Sequence, residues 1–114
     1  MKSRITDLAY LNSISEGDEE FKKDMINTFL ETSSVYLADM KKYLASGDWK
    51  KVGDIAHSLK PSFTMLGMQG KKEVIQAIEN SGRNNSNPGQ LPALVAELES
   101  VILQASAELM KELE

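Results

Sequence analysis

The sequence predicts an all-α protein: an antiparallel up-down four-helix bundle with a short additional N-terminal helix. Three observations carry this expectation. Apolar residues recur at three- and four-residue intervals in four long stretches. Turn-forming residues separate those stretches and leave short connections between them. No stretch alternates as a half-buried strand would. At 114 residues, 41% hydrophobic and 26% charged, the chain can bury one compact core but not two. Residues 1–114 therefore read as a single helical bundle domain.

The elements follow in order. Thr6 or Asp7 can cap a short helix carrying Leu8, Ala9 and Leu11, and residues 12–17 read as a turn. A long helix starts near Asp18, whose acidic neighbours Glu19 and Glu20 suit the positive end of the helix dipole. Phe21, Met25, Ile26, Phe29, Leu30, Leu37, Met40, Tyr43 and Leu44 form its apolar face. Thr32-Ser33-Ser34 invites a kink, and Ser46-Gly47 stops the helix. Asp48 caps a third helix over 49–66, with Gly67 at its end. A fourth covers 71–82, with Val74, Ile75 and Ile78 inward. Residues 83–89 are the clearest loop. The last helix covers 90–113, where Pro92 is tolerated in the first turn.

Composition narrows the function. A formal net charge of −4 argues against a nucleic-acid partner. The absence of cysteine removes disulfides, thiolate catalysis and Cys-based zinc sites. One histidine and no HExxH pattern exclude a His-rich metal site. Met1 to Asp7 has no apolar core like that of a signal peptide, and no apolar run approaches the roughly 18 residues that span a bilayer. The chain reads as a soluble cytoplasmic protein without membrane contact; an excised domain of a membrane-bound parent is compatible with the same features.

The single histidine, His57, carries the functional signal. On a helical wheel Val52, Ile55, Ala56, Leu59, Phe63 and Leu66 form the core stripe of the third helix. His57 lies about 140° from its centre, so its ring should be partly exposed. Gly53, Lys60, Thr64 and Gly67 point in directions near it, two glycines, a cation and a small hydroxyl residue that leave open space around the ring. A lone helical histidine is ordinarily a solvated side chain, and HxxK by itself is a weak pattern. A hairpin after the third helix brings Glu79 level with His57, where its carboxylate can accept a hydrogen bond from one ring nitrogen. The other nitrogen is then free as a nucleophile. Gln76, one turn away, competes for that position. An exposed nucleophilic nitrogen beside Lys60 suits phosphoryl transfer, in which positioning and charge neutralisation do most of the work. No GxxxxGK[ST] or kinase-type Gly-rich loop is present, so the phosphoryl donor should be another protein.

Ala56-His57-Ser58-Leu59-Lys60, with Leu66-Gly67 downstream, resembles the motif of histidine-containing phosphotransfer (HPt) domains, the shuttle modules of phosphorelay two-component signalling. Gly47-Asp48-Trp49, Phe29-Leu30 and Ile78-Glu79 with Arg83 extend the resemblance over nearly the whole chain. It implies a phosphocarrier without ATP-dependent kinase activity of its own. Such a carrier takes a phosphoryl group from a receiver-domain aspartate of a hybrid sensor kinase and passes it to an aspartate of a response regulator. His57 matches the phosphorylated position, Lys60 the residue that steadies the phosphoryl group, and Gly67 the small residue that leaves a receiver room to dock. Glu79 falls where an acid or amide orients the imidazole. The resemblance implies no cofactor, any Mg²⁺ belonging to the receiver. Ser58, Pro61, Ser62 and Thr64 are candidates for the docking face, while Leu11 and Ile14 fit either its apolar rim or the core. Lys71 and Lys72 could add charge near the site or simply be solvated. A self-contained bundle favours a monomer.

Pro61 departs from the family pattern, which has a small residue after the lysine. Proline has no N–H to give the His57 carbonyl, so a local kink is expected. Two other readings compete with the carrier: a non-catalytic helical adaptor, which would enclose or salt-bridge His57, and a structural segment of a larger kinase, which would leave a long apolar patch exposed.

Overall fold

The computed structural model describes residues 5–113, Gln69 by its backbone alone. Met1 to Arg4, part of the stretch read for a leader, lie outside the described residues. The five helices are α1 (Ala9–Ser15), α2 (Glu19–Ser46), α3 (Trp49–Met65), α4 (Lys72–Arg83) and α5 (Leu91–Glu112). Single 3-10 turns at Gln69–Lys71 and Pro88–Gln90 lead into α4 and α5. Among the described residues there is no strand. Helix α2 packs on α3 and α5, α3 on α4, and α4 on α5, while α1 packs on α2. The 44 Å long axis is set by the 28-residue α2, which spans about 42 Å at 1.5 Å per residue.

Core and caps follow from local chemistry. Ile26, Phe29, Met40, Val52, Phe63, Ile78 and Leu98 lie along the core and are almost wholly buried. Each such side chain contributes about 1.5–3 kcal/mol by leaving water. Asp18 opens α2 by accepting the Phe21 N–H at 3.0 Å. Gly47 closes it at φ +77°, and the Asp48 N–H then reaches back to the Tyr43 carbonyl at 2.9 Å. This left-handed stop needs a residue without a Cβ.

Four local expectations are corrected. Helix α1 runs on through Ser15, so residues 12–15, read as part of a turn, are helical. Helix α2 is continuous through Thr32-Ser33-Ser34, where the buried Ser33 hydroxyl returns to the Leu30 carbonyl at 3.5 Å. Asp48 precedes α3 but makes no side-chain cap; its carboxylate lies 3.7 Å from Lys51 Nζ instead. Gly53 is buried and does not open space beside His57. A Cβ there would fall 2.9 Å from the Arg83 amide nitrogen and 3.1 Å from the Glu79 carbonyl. Gly82 answers it from α4, where a Cβ would lie 2.4 Å from the Trp49 carbonyl oxygen and 2.7 Å from the Gly53 nitrogen. The two glycines let the backbones of α3 and α4 touch.

The other end of the α3–α4 hairpin is closed by the N-terminal segment. Gly67 turns the chain at φ +71°, and a Cβ on it would overlap Asp7, 2.3 Å from its carbonyl oxygen. The Asp7 N–H donates to the Leu66 carbonyl at 2.9 Å. From α5, the Glu108 carboxylate accepts the amides of Ile5 at 3.0 Å and Thr6 at 2.9 Å and the Thr6 hydroxyl at 2.6 Å. Burial pushes the Glu108 carboxyl up, but these bonds outweigh it and hold the group below its ordinary range.

Candidate functional site

Helix α3 carries His57 on its outer side, with 55% of the side chain exposed. The core stripe beneath it is Val52, Ala56, Leu59 and Phe63. Glu79 reaches His57 from α4, and Oε2 lies 2.9 Å from His57 Nδ1. Gln76, the competing partner, instead donates to Asn80 Oδ1 at 2.9 Å. The Glu79 side chain is only 10% exposed, so its charge needs partners. Lys60 pairs with Oε1, and Arg83 Nη1 lies 2.9 Å from Oε2. The Lys60 ammonium, above all, holds the Glu79 carboxyl below its ordinary range against the opposing effect of burial, with His57 adding to it.

The tautomer follows. An ionised carboxylate only accepts hydrogen bonds, so Nδ1 carries the proton that points at Glu79. In the neutral ring Nε2 then holds a lone pair. An exposed ring with one nitrogen fixed and the other open is arranged for nucleophilic attack by Nε2.

Helix α3 also supplies Asp54, one turn before His57. Its Oδ1 accepts Arg83 Nε at 2.7 Å, and Lys50 Nζ lies 3.2 Å from Oδ2. Arg83 and then Lys50 hold the Asp54 carboxyl below its ordinary range. The spacing Glu79–Arg83, i to i+4 on one helix, is the sequence signal for the first pair. Nothing in the sequence ties Asp54 to Arg83, because that contact depends on how closely α3 and α4 approach at Gly53 and Gly82.

The expected docking residues separate into two groups. Ser58, Pro61 and Thr64 are exposed on the His57 side of α3, and Ser62 is half-buried. The Ser58 hydroxyl donates to the Asp54 carbonyl at 3.2 Å. Lys72 donates to the Thr64 hydroxyl at 2.9 Å, which brings a cation onto this face; Lys71 is exposed. Helix α3 continues through Pro61. Leu11, by contrast, is wholly buried and belongs to the core, because α1 turns that side inward onto α2. Ile14 is 41% exposed and stays available at the rim. Gly67 is half-buried against Asp7, so its lack of a side chain is required inside the molecule.

The family model of the Hpt domain matches residues 24–113. The chain belongs to the Hpt domain family. Among curated proteins, the Hpt domain described here is similar to multistep phosphorelay regulator 1 of Schizosaccharomyces pombe, 31% identical over 74 residues. That match covers 65% of this chain but 25% of the yeast protein, so the Hpt domain corresponds to about a quarter of that relative. No solved structure matches significantly. Among the described residues of this Hpt domain, no cluster of three or more His, Asp or Glu side chains could hold a metal ion. No helix among them is long and apolar enough to cross a membrane.

Proposed function

We propose that this Hpt domain is a phosphocarrier. It accepts a phosphoryl group on His57 from a receiver-domain aspartate of a hybrid sensor kinase and delivers it to a receiver-domain aspartate of a response regulator. The observation that carries this reading is the pairing of Nδ1 with an ionised Glu79 while the ring stays 55% exposed. Family membership and the name of the yeast relative support it.

In the accepting step the Nε2 lone pair forms the N–P bond. The bond between phosphorus and the aspartyl oxygen breaks, and its electrons return to the receiver's carboxylate. The Nδ1 proton stays on the ring, beside Glu79. Any Mg²⁺ is held by the receiver, and the carrier binds no cofactor of its own. Lys60 supplies positive charge to the phosphoryl oxygens. Ser58, Pro61 and Thr64, with Lys72 and the rim residue Ile14, form the receiver-docking face. The same reading includes an up-down antiparallel four-helix bundle, a single domain over 1–114, a monomer and a cytoplasmic setting. An adaptor would enclose or salt-bridge the histidine; Nδ1 does pair with Glu79 at 2.9 Å, but the ring is not enclosed, and its exposure favours the carrier.

The test is transfer from a phosphorylated receiver domain. We expect acid-labile, base-stable label on the wild-type protein and none on His57→Gln. Equal labelling of the His57→Gln protein refutes the proposal.

A further inference from the structure

Glu79 and Lys60 hold one another in the resting site, yet the phosphocarrier reading requires Lys60 at the phosphoryl group. Both demands fall on one ammonium. Lys60 lies one turn after His57 on the same face of α3, its side chain is 27% exposed, and its ammonium is held on Glu79 Oε1, so closer contact with a charged group on Nε2 would draw it away from that oxygen. Without another cation, a carboxylate that is 10% exposed would be left charged and poorly solvated, a costly state. A phosphoryl group carrying about −1.5 to −2 charges would stand close by and repel it.

The structure supplies that other cation. Arg83 Nη1 binds Glu79 Oε2 at 2.9 Å, the oxygen that also takes His57 Nδ1. Arg83 Nε is fixed separately by Asp54 Oδ1 at 2.7 Å, and Lys50 balances the outer oxygen of Asp54. The charged groups on α3 facing this point are Lys50, Asp54 and Lys60; those on α4 are Glu79 and Arg83. Arg83 is further located by backbone contact, since its amide nitrogen sits where a side chain at Gly53 would be.

We propose that Arg83 is a positioning residue that allows Lys60 to change partners. Lys60 pairs with Glu79 while His57 is unmodified and turns to the phosphoryl group once His57 carries it. Arg83, braced by Asp54, keeps Glu79 on Nδ1 in both states. This inference deepens the phosphocarrier reading and rests on it.

The experiment uses phosphoramidate, a small donor that loads histidine without a receiver, and follows phospho-His57 by ³¹P NMR. Removing Lys60 from the wild type (Lys60→Ala) should speed hydrolysis about tenfold, the scale of one charge-assisted bond at a partly exposed site. In the Arg83→Ala background Lys60 stays on Glu79, so the same substitution should change hydrolysis less than twofold. Arg83→Lys should restore much of the Lys60 effect. Ring ¹⁵N shifts give a readout that simple destabilisation does not move. Unmodified Arg83→Ala should keep the Nδ1–H tautomer, because Lys60 still anchors Glu79. If Arg83→Ala unfolds, Arg83→Gln is read in the same cycle. Equal Lys60→Ala effects in both backgrounds overturn the proposal and leave the relay reading standing. A clear coupling with no exchange to or from any receiver overturns the relay reading alone. No label on His57 from either phosphoramidate or a phosphorylated receiver overturns both.

Discussion

Gly82→Ala is a one-methyl test of how the fold holds the site. The added Cβ would lie 2.4 Å from the Trp49 carbonyl oxygen, 2.7 Å from the Gly53 nitrogen and 2.9 Å from the Gly53 Cα. All three atoms are backbone, so no side chain can swing aside and α3 must move about 1 Å from α4 to restore ordinary contact. Overpacking of this kind costs about 3 kcal/mol. Alanine returns about 1 kcal/mol through its better helix propensity, leaving a net loss of about 2 kcal/mol. For a domain of this size that lowers the melting temperature by roughly 8 °C. The same displacement acts on the site, because Glu79 and Arg83 flank Gly82 on α4 and His57 lies one turn beyond Gly53 on α3. Thermal unfolding followed by circular dichroism measures the first effect. Ring ¹⁵N shifts of His57, which report loss of the fixed Nδ1–H tautomer, measure the second. A variant that melts within 2 °C of the wild type and keeps the tautomer would refute the close-contact argument.

Two further outcomes are expected. Glu79, Asp54 and Glu108 all have folded-state carboxyl groups held below their ordinary values of 4.5, 3.8 and 4.5. Their contribution to stability is complete above those ordinary values and is lost as pH falls through the lower folded ones; urea midpoints should therefore be flat from pH 7 to about 5 and fall below it, less steeply in Glu79→Gln. Glu108→Ala removes the acceptor for three donors, the Ile5 and Thr6 amides and the Thr6 hydroxyl, and should cost about 1–3 kcal/mol. Amide exchange of residues 5–15 should accelerate far more than that of α3 and α4, and uniform acceleration would show that the segment is not separately tied.

The helices and the outward placement of His57 were legible because each depends on periodicity within one segment. Glu79 was legible as a neighbour because a short hairpin sets the register of two adjacent helices. Its preference over Gln76 was not, since that depends on Lys60 and Arg83 converging on one carboxylate. Gly53 was misplaced for a related reason: a helical wheel shows which way a position points, but not that a second backbone fills the space there. Leu11 carried no sign of its own choice between rim and core. Its burial comes from the way α1 lies on α2.

The N-terminal clasp separates two boundaries that are easily taken as one. The match to the family model begins at residue 24, and His57, Lys60, Glu79 and Arg83 all lie beyond it. Yet Leu8 and Leu11 are buried in the core, Asp7 seals the turn at Gly67, and Glu108 near the far end of the chain grips Ile5 and Thr6. A chain trimmed to 24–113 would keep every residue of the chemistry and uncover the apolar floor beneath α1. Recombinant versions cut at the edge of similarity should aggregate, whereas those beginning at residue 5 or earlier retain the parts that close the molecule.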